Sequence, residues 1–137
     1  MLEKSTYGNG DAVRYEYTYA GLTSALYQDN DGENDKPAYT WQYSSNGMPR
    51  THKDGYAKLK YDYSYDSIGR LIRTDMSNSV TGTVVGSTEY GYKTRGHLTS
   101  VVTEIGGNTY GQYYSPAEGA NHQLCATCPS LLSLEYV

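Results

Sequence analysis

The chain has 137 residues, a length suited to one modest domain, and a formal net charge of −4 with only 11 Lys and Arg. So few, scattered cations exclude the basic face that nucleic acid requires. No apolar run approaches the ~20 residues of a membrane-spanning helix, and Met1-Leu2-Glu3-Lys4 leads into no apolar segment, so no signal peptide is predicted.

Leu, Ile and Val together number 20, and there are 17 tyrosines but no phenylalanine. A phenol fills space as Phe does, yet its hydroxyl needs water or a partner. The composition therefore predicts sheet faces whose rings pack side by side while their hydroxyls reach polar neighbours, in place of a thick, dry core.

Taken in order, residues 1–12, with Gly8-Asn9-Gly10-Asp11, read as a turn or frayed lead-in. Strand signal starts at Val13, and Tyr15, Tyr17 and Tyr19 alternate with polar or small residues, the period that puts rings on one face of a strand. The following turn reads as compressed to Ala20-Gly21, with Leu22 to Tyr27 returning. Gln28 to Lys36, rich in Asp, Asn and Gly and closed by Pro37, reads as a loop.

Trp41 and Tyr43 open the next hairpin, with a turn at Ser44-Ser45-Asn46-Gly47; Asn-Gly is a strong short hairpin signal. Asp54-Gly55 turns the chain into the most regular stretch, Tyr61 to Thr74. There Tyr61, Tyr63 and Tyr65 alternate, Asp66-Ser67-Ile68-Gly69 supplies turn chemistry, and Arg70 begins the return. Asp75 to Gly82 reads as a longer loop. Tyr90 and Tyr92 start a fourth hairpin with a turn at Lys93-Thr94-Arg95-Gly96, and Tyr110 to Gly119 reads as a fifth, weaker copy.

Equivalent tyrosines Tyr43, Tyr65, Tyr92 and Tyr114 are 22, 27 and 22 residues apart, a repeat-protein spacing. A lone hairpin is marginal in water, so the hairpins must pair side by side. The expected fold is all-β: about five tandem antiparallel β-hairpins over residues 13–119 forming a twisted, curling sheet of roughly ten strands. Residues 120–137 hold both cysteines and a Leu-rich run and lack the tyrosine alternation. They read as an atypical C-terminal cap, a short helix or strand, or a tail, and the sequence leaves these open.

Tyr63-Ser64-Tyr65-Asp66-Ser67-Ile68-Gly69-Arg70-Leu71 resembles the YD repeat of the Rhs family, Y-x-Y-D-x-x-G-R-L. That family includes bacterial polymorphic toxins, toxin-complex shells and the animal teneurins. Tyr90 to Leu98 keeps the pattern with Lys for Asp and His for Arg, and Trp41 to Gly47 keeps the aromatic-x-Tyr and the Gly. The resemblance implies a hairpin repeat that coils into a shell, wall or spiral, and an extracellular or cell-surface location. The chain is too short to close a shell and carries no match to the family's self-cleavage region or a toxin domain. It is therefore expected to be a fragment of a larger protein, or a short relative that completes its sheet with copies of itself.

Asp29, Asp31 and Asp35 around Gly32 resemble part of a calcium loop, but Tyr27 and Ala38 stand where further acidic ligands belong, which favours a solvated loop. Cys125 and Cys128 have C-x-x-C spacing, yet only His122 is near, and a structural zinc site needs four ligands. Two ordinary thiols, or a disulfide on export, are expected. His52 and His97 adjoin no recognisable nucleophile motif, so no catalytic residue, metal or cofactor is expected and the chain is read as non-enzymatic.

The candidate aromatic face comprises Tyr15, Tyr17, Trp41, Tyr43, Tyr63, Tyr65, Tyr90 and Tyr92. The candidate repeat turns are marked by Gly47, Asp66, Gly69, Arg70 and Gly96. The expected role is structural: self-association through sheet edges into a filament, or pairing with the rest of a larger Rhs-like wall. The alternative is an extracellular carbohydrate-binding or cell-contact module, with glycan stacked on the tyrosine rows.

Overall fold

The computed structural model describes residues 1–29, 36–94 and 96–114. Asp31 and Asp35, with the side chain of Asp29, lie outside the described residues, as do Cys125, Cys128 and the whole of 120–137. The described residues form ten strands and no helix: β1 (Lys4–Thr6), β2 (Ala12–Tyr17), β3 (Thr23–Asp29), β4 (Tyr39–Tyr43), β5 (Pro49–Asp54), β6 (Leu59–Tyr65), β7 (Leu71–Asn78), β8 (Val84–Tyr92), β9 (Leu98–Ile105) and β10 (Asn108–Tyr113). Each strand lies beside its neighbour in sequence, from β1 to β10. The fold is therefore all-β and built of tandem antiparallel hairpins, as the alternation of tyrosines and turns predicts.

Three stretches differ from the expectation. The lead-in is itself a hairpin, because β1 pairs β2 across a turn in which the Tyr7 N–H reaches the Asp11 carbonyl at 2.7 Å. The turn after Tyr17 is not compressed. It runs from Thr18 to Leu22, with Tyr19 at its fully exposed tip and not on the strand face. The first half of the expected loop from Asp75 to Gly82 is strand, since β7 continues to Asn78; a tight turn follows, in which the Asn78 side-chain oxygen takes the N–H groups of Val80 and Thr81, each at 2.9 Å.

The chain divides into two compact units, Met1–Tyr63 with Met76–Val84, and Ser64–Asp75 with Val85–Val137, the latter described to residue 114. In the first, strand alternation separates two unlike faces. Val13, Tyr15, Leu26, Tyr39, Trp41, His52 and Tyr61 share one, by their registered pairings. Arg14, Glu16, Thr40, Lys53, Lys60, Thr51 and Asp62 share the other, where Asp62 accepts from Thr51 at 2.8 Å and pairs Lys60 at 2.7 Å. Burial pushes the Asp62 carboxyl up, but these two hydrogen bonds together with the charges of Lys60 and Lys53 outweigh it and hold the group below its ordinary value. In the second unit, Tyr90 and Val101 share a face with Thr88 and Thr103, whose hydroxyls meet at 3.1 Å.

Among the described residues no second layer covers these strands. Among the described residues only Ala12, Ala25, Tyr27 and Ala38 are buried hydrophobics, and no large side chain is fully buried. The absence of a thick, dry core follows from the composition: half-buried phenols replace Phe and most of the aliphatics.

Candidate functional site

The features that recur in this molecule are its hairpin turns and the contacts between successive hairpins. At the Asp66 turn, the Gly69 N–H donates to the Asp66 carbonyl at 3.0 Å and the Asp66 N–H to the Arg70 carbonyl at 2.9 Å. The Asp66 carboxylate accepts from the N–H groups of Ile68 (3.0 Å) and Arg70 (2.9 Å), and from the Arg70 guanidinium at 2.6 Å. The Arg70 backbone bond is the chief cause that lowers the Asp66 carboxyl, against some desolvation and with help from the Arg70 side chain. Gly69 sits at φ 87°, a left-handed conformation in which a Cβ is strained.

The same backbone closure appears at Thr18–Leu22, Ser44–Met48 and Lys93–His97, so these four turns share one geometry. Where Asp is missing, hydroxyls stand in for it: Thr18 Oγ1 accepts the Leu22 N–H at 3.1 Å, and Ser44 Oγ accepts the Met48 N–H at 3.2 Å. Lys93 has no acceptor to offer, and its turn closes on backbone bonds alone among the described residues.

Three hairpins also share one register. The second aromatic residue opposes the residue two after the turn glycine, and the first aromatic opposes the residue five after it, with one unpaired residue between. Thus Tyr17 faces Thr23 and Tyr15 faces Leu26; Tyr43 faces Pro49 and Trp41 faces His52; Tyr92 faces Leu98 and Tyr90 faces Val101. An extra residue at a fixed place is a β-bulge used as a repeat feature.

The second tyrosine then links one hairpin to the one before it. Tyr43 donates its hydroxyl to the Thr23 carbonyl at 2.8 Å, and Tyr92 to the Leu71 carbonyl at 2.8 Å. Tyr17 does the same to the Leu2 carbonyl at 2.6 Å. Arg70 reaches forward in the same direction, donating to the Lys93 carbonyl at 3.2 Å with its guanidinium 4.7 Å from the centre of the Tyr92 ring. The Y-x-Y-D-x-x-G-R-L pattern is therefore a device for joining hairpins as much as for turning the chain.

The aromatic face is most developed across β4, β5 and β6. Trp41 and His52 stack at 5.2 Å and 4° between planes, and His52 and Tyr61 at 5.7 Å and 16°. Tyr39 stacks on Trp41 at 6.1 Å, and Tyr56 meets Tyr39 edge-on at 6.0 Å. The His52 Nε2 is out of solvent with no hydrogen-bond partner. Desolvation lowers the His52 imidazole below its ordinary value, opposed by the charge of Asp54. In this row the ring faces are turned towards one another.

Of the predicted aromatic residues, Trp41 joins that row, Tyr15 and Tyr17 stack on each other at 6.5 Å, and Tyr17, Tyr43 and Tyr92 make the junction bonds. Burial raises the hydroxyls of Tyr43 and Tyr65 above their ordinary value. Tyr63 lies on β6, and Tyr90 pairs with Val101. Gly47, Asp66, Gly69, Arg70 and Gly96 all lie in the equivalent turns, and the three glycines have φ between 81° and 88°. His52 and Tyr39 were not legible as members of a row from the tyrosine spacing, whereas Tyr61 was legible by its alternation with Tyr63 and Tyr65. Counting five residues on from Gly47 finds His52 opposite Trp41.

The described residues of the first unit include a groove of about 830 Å³ along Glu3, Lys4, Tyr15 and Tyr17, and another of about 230 Å³ beside Gln28, Ala38, Gly55 and Tyr56. Among the described residues no three His, Cys, Asp or Glu side chains converge as metal ligands, and no helix is long and apolar enough to cross a membrane.

No protein-family model matches the chain, and no curated protein matches it. Its fold is similar to solved structures. A chain in the structure of the Photorhabdus luminescens Tc holotoxin pore matches 83% of this chain with a TM-score of 0.69 and 19% identity. A chain in the crystal structure of TcdB2-TccC3-Cdc42 matches 77% with a TM-score of 0.66 and 19% identity. The match spans only 6% and 5% of those chains, so this chain corresponds to a short length of much larger proteins.

Proposed function

We propose that the chain is a structural, non-enzymatic length of YD-repeat wall, which associates through its sheet edges with more of the same repeat. The partner is a further copy of itself, giving a filament, or the rest of a larger Rhs-like assembly. The observation that carries this is the junction bond: the second tyrosine of a hairpin donates to the returning strand of the hairpin before it at Thr23 and Leu71, and Tyr17 donates likewise to Leu2 just ahead of β1. A unit that binds its predecessor by backbone ladder and one fixed side-chain bond extends by repetition. The fold similarity to chains from a toxin-complex pore supports a building element within a multi-chain particle, outside or on the surface of the cell.

Size-exclusion chromatography with light scattering, followed by negative-stain electron microscopy of the same fractions, tests this. Elongated particles of regular width, or capture by a longer YD-repeat chain, are expected. A 15.2 kDa monomer at high concentration that binds no such chain would overturn it.

Carbohydrate binding on the tyrosine rows is the weaker alternative. A sugar stacks on a free ring face, whereas Trp41, His52 and Tyr61 lie face to face. Loss of glycan-array binding on joint substitution of Tyr63→Ala and Tyr65→Ala would revive it.

A further inference from the structure

We propose that the aromatic row of β4, β5 and β6 is an electron relay. A radical formed on Trp41 by a one-electron oxidant, such as a peroxide-derived radical, moves through Tyr39 to Tyr56 at the surface, where an external thiol quenches it. This activity goes beyond self-association and does not depend on it.

Backbone register builds the row. Trp41 opposes His52 and His52 opposes Tyr61, while Tyr39 lies two positions before Trp41 on the same face. Tyr39 opposes Asp54, whose carboxylate accepts the N–H groups of Tyr56 at 2.9 Å and Ala57 at 2.8 Å. That turn sets the Tyr56 ring edge-on to Tyr39 with centroids 6.0 Å apart, and Tyr39 lies 6.1 Å from Trp41. Rings in such contact exchange an electron readily, because tunnelling decays exponentially with the gap between them.

Chemistry sets the direction. Trp41 is the sole tryptophan, and near neutral pH an indole meets such oxidants faster than a phenol does. A phenol that can shed its proton is nevertheless the deeper sink for the radical. His52 is too hard to oxidise to hold it, and its lowered imidazole, uncharged at neutral pH, sets no positive charge against the oxidised indole. Tyr61 lies beyond His52, which leaves Tyr39 as the phenol in ring contact with Trp41 among the described residues. Tyr56 is 60% exposed and its hydroxyl donates to Gln28 Oε1 at 2.6 Å, so its proton can reach water and a reductant can reach its ring. The steps balance. The oxidant takes one electron from Trp41, whose indole N–H releases its proton to water. Tyr39 returns an electron to the indole, which regains a proton as the Tyr39 hydroxyl loses one. Tyr56 restores Tyr39 in the same way. The thiol then gives a hydrogen atom to the Tyr56 phenoxyl, leaving a thiyl radical and an intact row.

The test is pulse radiolysis with the azide radical on the full chain, after Cys125→Ser and Cys128→Ser remove native thiols that would take up the radical themselves. The indolyl absorption should decay as the tyrosyl absorption grows, at a rate independent of protein concentration. Tyr39→Phe keeps the ring and removes the redox-active hydroxyl, and it should slow this step several-fold. Tyr61→Phe, on the far side of His52, should leave it unchanged. With a nitroso spin trap present, peptide mass spectrometry should find the adduct on Tyr56 reduced several-fold by Trp41→Phe and by Tyr39→Phe. The adduct on Tyr19, a fully exposed tyrosine outside the row, should not change. A decay that scales with protein concentration, equal rates with and without Tyr39→Phe, or equal slowing by Tyr61→Phe would overturn the relay. So would trapping at Tyr56 that is indifferent to Trp41.

Discussion

The Tyr92 hydroxyl does something that a phenylalanine ring in its place could not, because the Leu71 carbonyl it satisfies is half withdrawn from water. Tyr92→Phe should cost about 0.5–1.5 kcal/mol of unfolding free energy. Tyr90→Phe, where no such bond is found among the described residues, should be near neutral. Urea titrations of the pair would show equal losses if the junction bond contributes nothing. His52 makes a pH prediction at the same scale. Its imidazole is held below the ordinary value of 6.5, chiefly by desolvation between Trp41 and Tyr61. A depressed folded value means that its contribution is complete above pH 6.5 and is lost as pH falls through the lowered folded value. The carboxyl of Asp66, also depressed, contributes above its ordinary value of 3.8 and is lost only in stronger acid. His52→Phe should therefore remove the upper limb of acid destabilisation and leave the lower one. An unchanged melting-temperature profile between pH 7 and 5 would show that His52 does not titrate with folding.

At the scale of the hairpin, the turn glycines hold the register. Gly69 at φ 87° lies where an L side chain is strained, so Gly69→Ala should destabilise by about 1–2 kcal/mol. A loss within error of zero would mean the turn relaxes to another type. The position of each turn was legible from Gly47, Gly69 and Gly96 after a tyrosine pair, because few residues accept that backbone. The first turn was not, since Tyr19 extends the alternation past Tyr17 and Thr18 hides the place of the Asp. A hydroxyl can close this turn as a carboxylate does, and only the bond from the Leu22 N–H to Thr18 Oγ1 reveals it. Arg70 was legible as a repeat residue. Its reach to the Lys93 carbonyl was not, because that contact spans 23 positions and depends on how neighbouring hairpins align. The place of His52 in the aromatic row was hidden for the same reason: it depends on a bulge that shifts the count by one.

At the scale of the whole molecule, a sheet in which no large side chain among the described residues is fully buried should unfold with an unusual heat signature. Heat capacity rises on unfolding chiefly through newly exposed apolar surface, and average globular behaviour for 137 residues would give roughly 1.6–2.1 kcal/mol/K. With Ala12, Ala25, Tyr27 and Ala38 as the buried hydrophobics among the described residues, scanning calorimetry of the dilute chain should give a clearly smaller value. Pairing between copies would bury more surface, and a partner that binds only the folded state raises the melting temperature with concentration. The melting temperature should therefore climb over a hundredfold range of protein, and the heat-capacity change should move towards the globular value. A small change that stays small while the melting temperature stays constant would mean that the edges remain unpaired in solution. A globular value already present in the dilute monomer would mean that the sheet faces are covered after all.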